Sequence, residues 1–175
     1  MTQQEKHSKV ATEVDRHILT GGFEAAALDD NYKYRDWYAW LLSDIALLLS
    51  FDEVIFAHTN FESEDSEFDL YVFTERLVVV ARIDTTLDGV PIVQALPRRS
   101  LRSMVLSASE RIDARDRRSH EWPGVLALRL TYPDLSRPIE IVANGSNPHN
   151  YKEPAAIVRL IESLSADLAQ LPVTK

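Results

Sequence analysis

The spacing of apolar and polar positions changes twice along the chain. In residues 1–34, Val10, Val14 and Ile18 recur every fourth position, the stripe of a short helix, before Gly21 and Gly22 in "TGGF" break it. From Arg35 to Ser50, the residues Trp37, Tyr38, Trp40, Leu41, Leu42, Ile45, Leu47, Leu48 and Leu49 predict a helix apolar around most of its circumference. Such a helix is covered on more than one side. The period then falls to two. Strands are predicted over 52–61, 67–74, 77–84, 90–97, 101–110, 124–132 and 138–143, separated by turn-forming runs such as "SEDS", "DTTLDG", "LPRRS" and "YPDLSRP". A last helix, from Glu153 to about Leu171, carries Ile157, Leu160, Ile161, Leu164, Leu168 and Leu171 on one stripe. No internal repeat or low-complexity segment is present.

The stretch "EFDLYVFTERLVVVARID", Glu67 to Asp84, reads as a hairpin turning at Glu75 and Arg76. That register sets Phe73 opposite Val78, Tyr71 opposite Val80 and Asp69 opposite Arg82, a charge pair that supports it. One face carries Phe68, Leu70, Val72, Leu77, Val79, Ala81 and Ile83. The other carries Tyr71, Phe73, Val78 and Val80, joined by Val54 and Phe56 of the preceding strand. Two apolar faces need two covers. The tryptophan-rich helix, joined to the first strand by almost no linker, is expected to fold back on the second, outer face. A second copy or another protein docking there is the other reading.

Seven antiparallel strands followed by one amphipathic C-terminal helix resemble the bacterial pleckstrin-homology-like domains. The run "DLYVFTERLVVVARID" looks like their second and third strands, where a threonine shortly before an Arg-Leu pair is common at the hairpin. The resemblance covers about residues 51–171. It implies a mainly β fold, a seven-stranded antiparallel barrel or sandwich capped by the C-terminal helix. The expected organisation is an arm over 1–34, partly helical or flexible, an apolar helix over 35–50 packing on the sheet, and the PH-like domain over 51–175. The barrel would be filled by Leu70, Val72, Leu126, Leu128, Leu130 and Ile141.

The family's best-known function does not carry over. The last helix has no tryptophan, unlike that of eukaryotic members. The loops matching a lipid-headgroup site hold Glu62, Glu64, Asp65, Glu67, Asp84, Asp88 and Asp134 against Arg137 alone. Each basic residue near an anionic bilayer contributes about 1 kcal/mol, and acids oppose it, so no phosphoinositide membrane binding is expected.

Composition narrows the chemistry further. The chain has 175 residues, 45% apolar, enough for a core without disulfides or a structural metal. It has no cysteine, which suits a reducing compartment, and no signal-peptide-length or membrane-spanning apolar run, so a cytoplasmic location is expected. Its five histidines show no paired helical spacing, and its five glycines form no phosphate-wrapping loop. No cofactor and no catalytic residue are expected. The bland reading of His58 is a hydrogen-bonded, half-buried strand residue.

Charge is more informative. The net charge is −8, which disfavours nucleic acid, yet it is unevenly spread. Between Asp52 and Asp69 there are seven acids and no Lys or Arg. The segment Pro97 to Arg118 holds Arg98, Arg99, Arg102, Arg111, Arg115, Arg117 and Arg118, with no aromatic residue to stack on a base. A cationic patch there would recognise an acidic protein segment or the acidic loop of another copy. A second candidate is the edge of the fifth strand, where Ser103, Val105 and Ser107 face one way, beside which some members of the superfamily add a peptide as a strand. The expected function is a non-catalytic interaction module whose partner is another protein or a second copy. The alternative is a small barrel enzyme or carrier with an apolar ligand inside.

Overall fold

The computed structural model describes residues 2–20, 33–49, 52–60, 67–84, 90–108, 125–144 and 153–169. Three helices and seven strands lie among them: α1 (Gln3–Thr20), α2 (Asp36–Leu48), β1 (Phe56–Asn60), β2 (Glu67–Phe73), β3 (Leu77–Asp84), β4 (Ile92–Pro97), β5 (Ser103–Ala108), β6 (Val125–Thr131), β7 (Ile139–Asn144) and α3 (Glu153–Ala169). All seven predicted strands are found. Compactness divides the chain into two units, Met1–Arg98 and Arg99–Lys175. The first holds both N-terminal helices and an antiparallel sheet ordered β1-β2-β3-β4, and the second holds an antiparallel sheet ordered β5-β6-β7 and α3.

In the first unit, α1 starts on a capping box. The Glu5 amide donates to Thr2 Oγ1 at 3.3 Å, and the Thr2 amide donates back to a Glu5 carboxylate oxygen at 2.6 Å. Two of the amides that a helix start leaves without partners are thereby satisfied. The helix runs to Thr20, just before the glycine pair. Its stripe of Val10, Val14 and Ile18 is buried and packs with Trp37, Tyr38, Leu41 and Ile45 of α2. Trp37 in turn meets Phe68 of β2, with ring centroids 5.4 Å apart.

Helix and sheet share one core, but not on the expected face. The side chains clustered with the helices are Phe68, Leu70 and Val72 of β2 and Val79, Ala81 and Ile83 of β3. This is the face assigned above to the barrel interior. The reason lies in the far end of the hairpin: here every position of that face is apolar, whereas the opposite face ends in Asp69 and Arg82. A helix with so wide an apolar surface buries more of it on the uninterrupted side. Leu70 and Val72 therefore belong to the core beneath the helices. Tyr71, Phe73, Val78 and Val80 on the other face are buried as well.

The hairpin register is the one read from the sequence: Phe73 faces Val78, Tyr71 faces Val80 and Asp69 faces Arg82, with Arg82 Nε 3.5 Å from Asp69 Oδ1. Val54 and Phe56, placed together by simple alternation, separate. Phe56 is paired with Phe73, yet the Ile55 amide also donates to the Phe73 carbonyl at 2.8 Å. Two residues thus oppose one, the arrangement of a β-bulge, and the extra residue resets the alternation. Val54 turns into the helix-covered core, while Phe56 stays beside Phe73, with ring centroids 6.0 Å apart.

The second unit is simpler. Leu126, Leu128 and Leu130 of β6 and Ile139 and Ile141 of β7 line the buried face of its sheet, and α3 lies nearest β7 with Ile157, Leu160 and Leu164 buried. No strand pairing joins the two sheets among the described residues, so they do not close into the expected barrel. The corner at "LPRRS" explains the break: β4 ends at Pro97, and a 3-10 turn over Arg98–Ser100 follows before β5 begins.

Two tyrosines, Tyr38 of α2 and Tyr34 just before that helix, fasten this part of the chain to α1. Tyr38 Oη donates to Asp15 Oδ1 and Tyr34 Oη to Asp15 Oδ2, each at 2.8 Å. Burial, reinforced by the Asp15 carboxylate, raises the Tyr38 hydroxyl far above the ordinary tyrosine range; for Tyr34 the hydrogen bond to Asp15 is the first cause of a rise. A folded-state value above the unfolded one makes stability complete below pH ~10, and a loss of about 1.4 kcal/mol per pH unit follows above that. Chemical denaturation between pH 8 and about 11.5 should show the decline, and Tyr38→Phe should make it shallower by that slope.

Candidate functional site

The site suggested by charge comes apart in the structure. Arg98 is only 6% exposed. Its amide donates to the Arg76 carbonyl at 2.8 Å, and its guanidinium donates from Nη1 to the Thr74 carbonyl at 3.0 Å. It is a brace for the β2-β3 turn and not part of an accessible patch. Around it Thr74 Oγ1 accepts from the amides of Leu77 at 2.9 Å and Arg76 at 3.2 Å, and Arg76 Nε donates to Asp52 Oδ1 at 2.8 Å. This is why a threonine and an arginine suit that hairpin: the hydroxyl satisfies turn amides that no ladder partner reaches. Arg99 and Arg102 are exposed in the second unit. Arg111, Arg115, Arg117 and Arg118 lie outside the described residues.

The strand-edge candidate is better defined. β5 is the terminal strand of its sheet and pairs with β6 alone among the described strands. Ser103, Val105 and Ser107 are exposed on one face. That face continues into Arg129 and Glu140, whose side chains approach to 3.5 Å across β6 and β7. The opposite face is the buried one, and it does not stop at β6. Leu106, Leu128 and Ile141 stand in one cross-strand row, and their exposures are 48%, 1% and 0%. The row is finished on its inner side and bare at its outer end.

Natural sheets blunt such an edge with charge, proline, a bulge or a covering element. The sequence of β5, "SMVLSA", contains no charge and no proline, and it pairs with β6 residue for residue without a bulge. Immediately before it stands exposed Arg102. The sequence pointed to this edge through its alternation, and Leu106 lies on the face opposite Ser103, Val105 and Ser107. Its half exposure depends on strand order, which alternation alone does not reveal.

Other polar groups engage one another. His58 Nε2 lies 2.9 Å from Asn60 Oδ1, and the His58 ring stacks with Phe56 at a centroid distance of 6.3 Å. Tyr71 Oη donates to Asp69 Oδ2 at 2.9 Å. These side chains gather at the polar end of the first sheet, where hydrogen bonding balances the cost of burial. An open groove of about 820 Å³ beside α1 is lined by both signs, including Lys6, Lys9 and Arg16 with Glu13, Asp52 and Glu53, and so favours neither charge. Among the described residues no three His, Asp or Glu side chains gather as a metal site, and no helix is long and apolar enough to cross a membrane.

No protein-family model and no curated protein sequence matches the chain. Among solved structures, the chain is similar to a DUF1696 family protein with a pleckstrin-homology domain from Shewanella loihica PV-4, at TM-score 0.35 and 9% identity, covering 64% of this chain and 80% of that one.

Proposed function

We propose that this chain is a divergent PH-like protein that acts as a non-catalytic interaction module, capturing an extended segment of another protein as an added strand on the edge of β5 with which no described strand pairs. The observation that carries this reading is the row Leu106, Leu128, Ile141, apolar throughout and half bare at its outer end. A fourth strand would extend the row, bury Leu106 and supply main-chain partners along Ser103–Ala108. The order of elements, seven antiparallel strands and then one helix, supports the PH-like assignment.

The edge also describes its ligand. Side chains at alternate positions of an added strand would face Met104 and Leu106, so these should be apolar. Arg99 and Arg102 at the start of β5 favour an acidic residue at the matching end of the segment. An acidic chain with two exposed arginines just before an apolar strand edge is better suited to such a peptide than to an anionic membrane.

Selection from a displayed library of extended peptides tests this. Wild type is expected to enrich segments with alternating apolar residues and a terminal acid. Leu106→Lys, at an exposed position, should weaken them by about 2 kcal/mol, roughly thirtyfold. Equal binding by that variant, or slowed hydrogen exchange on binding that spares 103–108, would refute the site.

A further inference from the structure

We infer that the outer face of α2 is a second docking surface, in the first unit, for a basic amphipathic helix of another protein. The inference is independent of the strand-edge reading. Helix α2 buries Trp37, Tyr38, Leu41 and Ile45, but it is apolar beyond the width its own core needs. Trp40 is 67% exposed and Leu47 62% exposed. Residues seven apart on a helix return to the same side after two turns, so the two form a ridge. Leu48, also exposed, widens that ridge toward its C-terminal end.

The charged residues along the ridge are of one sign. Asp36 and Ser43 border it on one side and Asp44 on the other, and "DWYAWLLSDIALL" contains no lysine or arginine. Tryptophan is the residue most enriched at the energetic centre of interfaces, and an exposed one between aspartates combines an anchor with a sign. A straight ridge flanked by carboxylates is complementary to a helix with an apolar groove flanked by lysines or arginines.

A second copy fits less well. Packed antiparallel on this ridge about a two-fold axis, α2 would bring Asp44 close to its own image, and like charges in contact oppose association; packed parallel, it would set Asp44 against Ser43 of the second copy and bring no cation to either. An anionic bilayer is disfavoured by the same two aspartates. The occupant is therefore a separate, basic partner.

The full chain can be titrated with three labelled peptides of about sixteen residues. One is an amphipathic Leu/Lys helix, one is its Leu/Glu counterpart, and one is a Lys/Ser peptide of equal charge without an apolar stripe. Anisotropy follows binding, and tryptophan emission reports burial of Trp40. The Leu/Lys peptide is expected to bind with a blue shift, and the other two at least roughly tenfold more weakly. Trp40→Ser and Asp44→Lys should each lower Leu/Lys affinity by a similar factor, and Leu106→Lys should leave it unchanged. Because Trp40 and Leu47 are exposed, their serine variants should keep the wild-type melting curve, and Leu47→Ser provides a second variant should Trp40→Ser unfold. Equal binding of the Leu/Glu or Lys/Ser peptide, or undiminished binding by the folded variants, would overturn the inference.

Discussion

Residues 51–175 expressed without the preceding helices are expected to be insoluble, or compact but without fixed packing. The face made by Phe68, Leu70, Val72, Val79, Ala81 and Ile83 shares one core with Trp37, Tyr38, Leu41 and Ile45 of α2 and Val14 and Ile18 of α1, which also meets β1. Each large apolar side chain returned to water costs about 1.5–3 kcal/mol, so exposing this face costs roughly 10 kcal/mol. That is comparable to the whole stability of an ordinary domain, about 5–15 kcal/mol. Circular dichroism with dye binding should show lost near-ultraviolet signal and exposed apolar surface. A soluble, monomeric fragment with dispersed amide resonances would mean that the sheet does not depend on its helices.

Two adjacent arginines should behave very differently. Arg98→Ala removes the donor to the Thr74 carbonyl and the packing of a side chain that is almost fully buried. Leaving a buried carbonyl short of a partner costs about 1–3 kcal/mol, and the lost packing adds to it, so a destabilisation of about 2–4 kcal/mol is expected. Arg99→Ala, at an exposed position, should stay within about 0.5 kcal/mol of wild type. Urea denaturation of both variants decides the matter. Equal small effects would return Arg98 to the surface patch that the charge pattern suggested.

That pair of residues also shows what a sequence conceals. Alternation placed all seven strands, and the Asp69 to Arg82 charge pair set the hairpin register, because both are properties of neighbours along or across a strand. The α1 stripe, its glycine stop and the apolar breadth of α2 were legible for the same reason. Which sheet face α2 takes was not, because it depends on comparing two apolar surfaces over their full length. The bulge at Ile55 was hidden as well: it is a backbone event, and nothing in "DEVIFAH" marks it. At the candidate site, the composition of β5 was visible, but its position at the edge of a three-stranded sheet was not. Arginine is read from sequence as a surface charge, and Arg98 departs from that reading because its partners are carbonyls at a turn more than twenty residues upstream.

The boundary between the compact units falls directly after this brace. Tension applied along the backbone at residue 99 would enter the first unit through Arg98, whose amide and guanidinium grip the Arg76 and Thr74 carbonyls. From there the load would pass through Thr74 and Arg76 to Asp52, short of the apolar core. The hairpin tip thus works as a strain relief, so a pull on the second half of the chain must first undo a few hydrogen bonds before it can peel β4 from its sheet.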